Sequence, residues 1–552
     1  MNASRLLEHF DRISEAPNAV PRLRRFILDL AVRGKLVEQD PNDEPASELL
    51  KRIQVEKARL VSAGAAKAQK SFVPIGDDDL PFVVPMNWSW SQLSEIGFVS
   101  PRNSATDETP ASFVPMALIS TEYGVPSRHE VRPWGEIASG FTHFADGDVA
   151  LAKITPCFEN GKSTVFRGLT GRIGAGTTEL HIVRPVLAAA DYVLLFLKSS
   201  HFINAGIPRM TGTAGQKRVS TEYFAHSPFP LPPLAEQHRI VAKVDELMAL
   251  CDRLETAQSE RERRRDRLEA ASLHRLNRPA DNGDADAFRE GARLHLDHLP
   301  RLTTRPDQIP ALRQAILNLA VRGRLVDQDH GDDRGQSFGV SEVAGHEDRL
   351  DMRLPAGWVW ARVEDVAEAR LGKMLDKAKN SGRSYRYLRN TNVHWFDVRT
   401  DDLKEIRIEG SEIEKYRLRS GDVLICEGGH GIGRTAVWRN EEGDVVFQKA
   451  LHRVRPGARL NSDFFAYCIS VYFHAGVLQA YFTGVGIPHF TGRALSALVF
   501  PLPPVAEQDR MVARVDELMA LCDCLEAQLT VVQSESHHLL DTVLHEALAV
   551  GA

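Results

Sequence analysis

Two stretches of this chain repeat apolar residues at alternating intervals of four and three. Ile240, Val244, Leu247, Cys251 and Leu254 form the first; Met511, Val515, Leu518, Cys522, Leu525, Leu529, Val532, Leu539 and Val543 form the second, with a polar break at Ser536. A seam that recurs every 3.5 residues on average predicts a long helix packed as a coiled coil rather than a simple surface helix. From Ala235 to Leu276 such a helix would be roughly 60 Å long at 1.5 Å per residue, long enough to act as a ruler between domains. Shorter amphipathic helices are predicted over 22–33, apolar at Leu23, Ile27, Leu30 and Ala31 and ended by Gly34, and from Ala311 to Arg322, ended by Gly323. Ser47 to Leu60 reads as a charged helix. Polar connections follow at Ser62 to Ala66 and Gly76 to Asp79, and Gln328 to Arg349 is equally loose. From Leu80 to Phe229, and again from Leu354 to Phe500, strand-like segments such as Val149-Ala-Leu-Ala and Val423-Leu-Ile-Cys alternate with Gly-rich turns and short helices. Each predicts a compact mixed domain of about 150 residues.

The two halves share a text. Pro230-Leu-Pro-Pro-Leu-Ala-Glu-Gln opens a block running to Glu255 that returns 271 residues later as Pro501-Leu-Pro-Pro-Val-Ala-Glu-Gln and runs to Glu526. Ile27-Leu-Asp-Leu-Ala-Val-Arg-Gly34 answers Ile316-Leu-Asn-Leu-Ala-Val-Arg-Gly323, Trp88-Ser-Trp90 answers Trp358-Val-Trp360, and Gly147-Asp-Val149 answers Gly421-Asp-Val423. Leu180-His-Ile-Val-Arg-Pro185 answers Leu451-His-Arg-Val-Arg-Pro456. Between these islands the copies differ almost completely. A period of that length is too long for a solenoid unit and argues for two domain-sized copies related by pseudo-twofold symmetry. The expected class is α+β: two mixed α/β domains at 80–229 and 351–500, joined by long antiparallel coiled-coil helices. A helical framework fills 1–79, a central long helix and framework 230–350, and a second long helix 501–552.

With 552 residues, 43% hydrophobic and 26% charged, the composition is that of a globular protein of several domains. The longest apolar run, Val186 to Leu197, is interrupted by Asp191 and too short to span a bilayer, and Met1-Asn-Ala-Ser-Arg has no signal-peptide core, so a cytoplasmic location is expected. Six cysteines without a Cys-x-x-Cys pair, two of them in the helix seams, predict reduced thiols with neither disulfides nor zinc. A net charge of −6 argues against a chain coated in nucleic acid while leaving room for local basic faces. One such face is Glu260-Arg-Glu-Arg-Arg-Arg-Asp-Arg267 with Gln258, Arg261 and Arg265 on seam positions. It reads either as a solvated stretch of helix or as a patch over DNA phosphates or against a partner subunit.

Catalytic signatures fail one by one. Gly428-Gly-His-Gly-Ile-Gly-Arg-Thr435 fits a phosphate-binding loop except that Arg434 replaces the lysine, and the matching Pro156-Cys-Phe-Glu-Asn-Gly-Lys-Ser163 keeps the lysine but has lost the leading glycine. Strand-like Thr164-Val-Phe-Arg and Ala436-Val-Trp-Arg follow, so each reads as a strand-turn-strand loop. There is no Asn-Pro-Pro-Tyr or Asp-Pro-Pro-Tyr element for amino-methyl transfer, no dinucleotide fingerprint and no nuclease-like carboxylate cluster. His181 and His452 read as hydrogen-bonded structural residues. Binding chemistry is better represented. Arg383, Tyr385, Arg386, Arg389, Asn390 and Asn392 fall in a stretch without acidic residues, and Arg209, Gln216, Lys217 and Arg218 lie in a Gly/Thr-rich loop. Arg and Lys donate to guanine O6 and N7, Asn and Gln pair with adenine N6 and N7, and other cations hold phosphates. With Lys153, Lys162 and Arg434 these are the candidate DNA contacts, although each cluster alone is also compatible with a solvated face.

The doubled Pro-Leu-Pro-Pro-[Leu/Val]-Ala-Glu-Gln entering a long helix, the Leu354-Pro-Ala-Gly-Trp-Val-Trp360 opening and Gly486-Ile-Pro-His489 resemble the specificity subunit of type I restriction-modification enzymes across essentially the whole chain. That resemblance implies two target-recognition domains, each reading one half of a split DNA sequence, held apart by two antiparallel helices that fix the spacer. It also implies two methyltransferase subunits carrying S-adenosylmethionine and the adenine chemistry, and a motor-nuclease subunit using ATP and Mg. No catalytic residue, cofactor, metal or membrane contact is then expected on this chain. The first copy departs from the pattern, with Gly212-Thr-Ala-Gly-Gln-Lys-Arg-Val-Ser220 in place of the Gly-Ile-Pro-His form and Val84-Pro-Met-Asn-Trp at its opening, which implies different half-sites. The helix ending at Gly34 stands ahead of the first domain, as though framework had been permuted to the front. Two rival readings are a stand-alone DNA-modifying or DNA-cleaving enzyme with an unrecognised active site, and a coiled-coil scaffold that never touches bases.

Overall fold

The computed structural model describes residues 18–69, 80–213, 215–277, 301–329, 354–376, 380–440, 444–484 and 488–549, with single positions at 16, 75, 76, 298, 331 and 486. Most of the loose stretches at 76–79 and 328–349, and the N-terminal Met1 to Arg5, lie outside them. The chain divides into two compact units, one of residues 1–261 with 533–552 and one of residues 262–532. Each unit therefore holds the start of one long helix and the end of the other.

In the first unit, α1 (Ala19–Val32) and α2 (Ala46–Ser62) precede the mixed domain. Its main sheet runs in the order β2 (Gly97–Val99), β9 (Leu180–Pro185), β6 (Val149–Ala152) and β7 (Ser163–Val165), all antiparallel. A second sheet orders β4 (Glu130–Pro133), β3 (Pro110–Val114), β8 (Ile173–Gly176) and β5 (Thr142–Ala145). The strand Val-Ala-Leu-Ala is buried along its length because both faces of its sheet are covered. Val149 and Leu151 point into the cluster holding Tyr192, Val193 and Phe196 of α3 (Ala190–Lys198), while Ala150 and Ala152 join Phe144 and Phe166 on the other face. Period-two alternation thus survives inside an apparently uniform apolar run.

The second unit opens with the last turns of the first long helix and α5 (Ile309–Val321). Its main sheet orders β12 (Ala367–Leu371), β20 (Leu451–Pro456), β17 (Val423–Cys426) and β18 (Thr435–Val437), and its second sheet β16 (Lys404–Ile408), β13 (Arg383–Leu388) and β19 (Val445–Phe447). β14 (Val393–His394) and β15 (Asp397–Val398) form a small hairpin. Val423 and Ile425 face the cluster around Phe464 and Phe465 of α6 (Ser462–His474), and Leu424 and Cys426 face the second sheet.

Each domain is closed at its root. β1 (Ser89–Ser91) pairs antiparallel with β10 (Phe229–Leu231), placing Trp90 opposite Pro230, and β11 (Val359–Arg362) pairs with β21 (Val499–Leu502), placing Trp360 opposite Pro501. The long helices start immediately after: α4 covers Leu234–Asn277 and α7 covers Val505–Ala549. At their first turns the Glu-Gln pair is buried. Glu236 accepts the Trp88 indole N–H at 2.9 Å and the Gln39 amide at 2.6 Å, and Glu507 accepts the Trp358 indole at 3.0 Å. The Gln237 amide donates to the Pro232 carbonyl and accepts from the Ala189 N–H that begins α3; Gln508 does the same with Pro503 and the Asn461 N–H that begins α6. These four side chains join the domain's entrance, its exit and its principal helix at one point.

The other repeated islands have equally local explanations. Asp148 accepts two bonds from Arg184, each at 2.8 Å, and Asp422 two from Arg455, each at 2.7 Å, a planar fork-to-carboxylate match across neighbouring strands. Gly34 and Gly323 end α1 and α5 at φ 66° and 65°, where a Cβ would stand 2.4 Å from Pro85 Cγ and 2.5 Å from Pro355 Cγ respectively. Only glycine satisfies both the left-handed turn and that approach.

Within each unit the helix seams find apolar cover. Ile240, Val244, Leu247, Cys251 and Leu254 belong to the cluster that includes Ile27, Leu28 and Ala31 of α1; Met511, Val515, Leu518, Cys522 and Leu525 belong to the one that includes Ile316, Leu317 and Ala320 of α5. All six cysteines are free thiols, and Cys251 and Cys522 are buried in these seams. Arg24 reaches Asp252 and Glu255, and Arg313 reaches Asp523 and Glu526. The far end of each long helix packs beside the short helix of the other repeat. Leu540, Val543 and Leu544 of α7 pack against Ala19, Phe26 and Leu30 of α1, where Arg22 pairs with Asp541, and Leu273 of α4 packs on Ala315 of α5, where Arg305 pairs with Glu262 and Asp266. Within the basic run at 260–267, Glu262 is shared between Arg305 and Arg265.

Replacing Gln237 or Gln508 by alanine orphans a buried N–H and a carbonyl, so each variant is expected to lose about 2 kcal/mol and several degrees of melting temperature. A thermal unfolding curve superimposable on that of the parent chain would contradict this junction role.

Candidate nucleic-acid interface

In the first unit three loops meet where β6 ends and β9 begins. The Pro156 to Lys162 segment turns from β6 into antiparallel β7, the Thr177 to Glu179 turn enters β9, and a hairpin from Thr211 to Arg218 folds over both. Main-chain bonds tie them together: Lys153 N–H to the Glu179 carbonyl, Thr155 N–H to the Lys217 carbonyl, and Val219 N–H to the Lys153 carbonyl. Thr211 and Arg218 exchange both of their N–H···O bonds, at 3.0 and 2.8 Å, closing the hairpin. The second unit repeats the pattern: Glu427 N–H bonds the Ala450 carbonyl, Phe490 N–H the Glu427 carbonyl, and Thr483 and His489 exchange bonds at 2.9 and 2.8 Å.

A buried histidine supports each hairpin from below. His181 Nε2 lies 3.0 Å from the Val219 carbonyl oxygen and its ring stacks on Phe224; His452 Nε2 lies 2.6 Å from the Phe490 oxygen. Burial pushes the His181 pKa down to about 4, against the raising effect of its carbonyl partner, and burial lowers that of His452 in the same direction. Both rings are therefore neutral near pH 7 and donate to the hairpin's end. Burial also raises the Cys426 thiol to about 12, which leaves it protonated and inert as a nucleophile.

At the root of each hairpin a glutamate meets the hairpin's closing residue. Arg218 grips Glu179 with Nε and Nη2 at 2.9 and 2.8 Å, and this guanidinium holds the Glu179 carboxyl below the usual range; His489 Nδ1 lies 3.1 Å from Glu427 Oε1. Neither Glu179 nor Glu427 is among the residues singled out from sequence, because an acid on a strand end carries no signal until the loops are brought together; His489 stands out there only within the Gly486-Ile-Pro-His489 motif.

The sequence candidates separate into two groups. Lys153, Gln216, Lys217 and Arg218 converge at the tip of the first domain, as do Asn390 and Arg434 around the Gly428–Gly433 turn of the second, where Gly429 and Gly431 approach their side chains. The others are turned to structural partners. Lys162 donates to the Met116 carbonyl, Arg209 donates to the Ala205 carbonyl and covers the Tyr223 ring, and Arg389 and Asn392 bind Asp402 at the cap of a tight turn. Tyr385 packs in a small apolar cluster with Tyr387 and Ile406, Arg383 lies over the Tyr385 ring, and Arg386 stands opposite Glu405 in the β13–β16 ladder. The phosphate-loop look-alikes are turns between antiparallel strands, with Cys426 and Gly433–Arg434 bonded across the base of the second; no helix follows. Among the described residues no group of three or more His, Cys, Asp or Glu is placed to hold a metal ion, and no helix is long and apolar enough to cross a membrane.

Residues 184–262 and 355–532 match the family model for the type I restriction modification DNA specificity domain. The specificity subunit of the type I restriction enzyme EcoAI from Escherichia coli is 34% identical over 96% of this chain and 94% of its own length, and that of EcoEI from Escherichia coli is 36% identical over the same shares. Among solved structures, the HsdS subunit from Thermoanaerobacter tengcongensis is 20% identical, with a TM-score of 0.45 over 86% of this chain and 99% of its own. A chain from a structural study of type I R-M complex assembly is 19% identical, with a TM-score of 0.47 over 85% and 99%.

The neutral His181 gives a pH signature. Unfolded, it binds a proton below about pH 6.5; folded, only near pH 4, so stability should fall as pH drops through that window and level off below it. His181→Gln, which keeps a donor but cannot bind that proton, is expected to shallow the dependence of unfolding midpoint on pH between 6.5 and 4. An unchanged slope would contradict the assignment.

Proposed function

The chain belongs to the specificity-subunit family of type I restriction-modification systems, the DNA-recognition component that performs no catalytic step itself, and we propose that it reads a bipartite target. On this reading the domain of residues 80–229 reads one half-site and that of 351–500 the other, while the paired long helices set the unread spacer as an antiparallel coiled coil with pseudo-twofold symmetry. The observation that carries it is the pairing of identical root bonds with unlike tips. The Trp88–Glu236 and Trp358–Glu507 bonds and those of Gln237 and Gln508 to a proline carbonyl match between the units, whereas the loops at the far end of each sheet share little chemistry. A fixed mount bearing two different tips fits two different half-sites.

Two methyltransferase subunits are the proposed partners on the repeated framework, with a motor-nuclease subunit beyond them. Support comes from the outward face of the long helices, where Ala242, Glu246, Ala249 and Leu250 recur as Ala513, Glu517, Ala520 and Leu521, with Leu250 43% and Leu521 59% exposed. The same surface presented twice suits two copies of one partner. S-adenosylmethionine, ATP and Mg would be bound by those partners, and the complex would act in the cytoplasm. The net charge of −6 then matters less, because partner surfaces contribute to the salt-sensitive grip on phosphates.

Exchanging residues 80–229 for the matching domain of a relative, in the presence of the methyltransferase partner, is expected to change one half of the methylated motif and leave the other half and the spacing intact. Mapping methylated adenines in the host genome measures this. A change of spacing with both halves preserved would overturn the domain assignment.

A further inference from the structure

Both hairpins at the domain tips have the same roots and different crowns. Their closing residues, Thr211 with Arg218 and Thr483 with His489, occupy the same place relative to β6 and β17, and each is followed by an apolar residue on a buried histidine and by a helix cap, Ser220 bonding the Tyr223 N–H and Thr491 the Ala494 N–H. The roots are closed by paired main-chain bonds. Among the described residues of the crowns, Gly215, Gln216, Lys217 and Gly486 are exposed. Gly215 and Gly486 have φ of 77° and 102°, and a Cβ on either would meet nothing within 4 Å. Those glycines serve the tight backbone path.

The chemistry of the crowns differs. The first carries Gln216 and Lys217, both exposed, and the Arg218 guanidinium beside them is occupied by Glu179. Gln216 is a fixed-shape donor and acceptor, and Lys217 is a cation on a flexible stem; together they suit a base edge with N7 and an exocyclic group. The second crown, Gly484-Val-Gly-Ile-Pro488, has no side-chain donor in its sequence, and the polar group at its root is His489, 46% exposed along its side chain.

We propose that the Thr211–Arg218 hairpin is the base-reading element of the first domain, acting through Gln216 and Lys217, and that the Thr483–His489 hairpin is its counterpart in the second, acting through His489. This rests on the DNA-recognition reading above and assigns it to residues. Glu179 and Arg218, His181 and His452 are positioning residues, which hold each hairpin at a fixed height without touching DNA.

The test uses the full chain assembled with its methyltransferase partner and libraries of duplexes randomised in one half-site at a time. Gln216→Ala with Lys217→Ala is expected to lower discrimination about tenfold at one or two positions of a single half-site, and His489→Ala to do so in the other half-site only. Glu179→Gln, which loosens the first root without removing a reader, should blur the same positions as the double variant. A uniform loss of affinity with unchanged base preference would mean phosphate contact alone and overturn the proposal, as would loss in both half-sites from one variant. If the parent complex itself showed no sequence preference in either library, the broader reading would fall instead.

Discussion

The structure depends on burying a glutamate and a glutamine side by side at the first turn of each long helix. Polar groups in such a place are costly unless every bond is made, and here the partners come from three directions: a tryptophan indole from the domain's first strand, a carbonyl from the proline-rich exit strand and the leading N–H of the domain's main helix. The demand for all of these bonds at once fixes the orientation of domain on helix. A hydrophobic contact alone is non-directional and would hold the same elements together without specifying their angle.

From that junction outward the constraints relax in order. The paired Trp and Pro strands and the Asp148–Arg184 and Asp422–Arg455 forks keep their residues in both units, the main sheets keep their strand order but fill their cores differently, the second sheets differ by one strand, and the tips diverge. Ala150 and Ala152 stand where Leu424 and Cys426 do, and Phe144 of the facing sheet, stacked on Phe166 beside β7, fills the space over that smaller face. Cores tolerate such exchanges when total filling is kept. A bonded root and an adaptable core allow a tip to change its chemistry without changing its place.

Much of this was legible in the sequence wherever local rules suffice. The heptad seams and the Gly34 and Gly323 stops mark helices that fall at Ala19–Val32, Ile309–Val321, Leu234–Asn277 and Val505–Ala549, within a few residues of the expected ends. The histidines of Leu-His-x-Val-x-Arg and Leu-His-Ile-Val-Arg type were readable as structural, and each sets Nε2 against a main-chain carbonyl. The candidate site was less legible. Lys162, Arg389 and Asn392 match a binding composition as well as Gln216 and Lys217 do, and only the fold shows that the former are spent on Met116 and Asp402. Conversely, nothing in the sequence marks Glu179 and Glu427, which strand pairing sets beside Arg218 and His489.

The docking of residues 533–549 onto α1 has a consequence for the order of synthesis. The unit holding residues 262–532 is continuous in the chain, so all its segments have left the ribosome while the earlier-made unit still lacks the helix turns that cover Phe26 and Leu30. The first half translated is thus the last to be finished, and its apolar flank stays open to chaperones or to a neighbouring nascent chain for the time it takes to make nearly three hundred further residues, whereas a premature stop near its end would spare the later half and wound the earlier one.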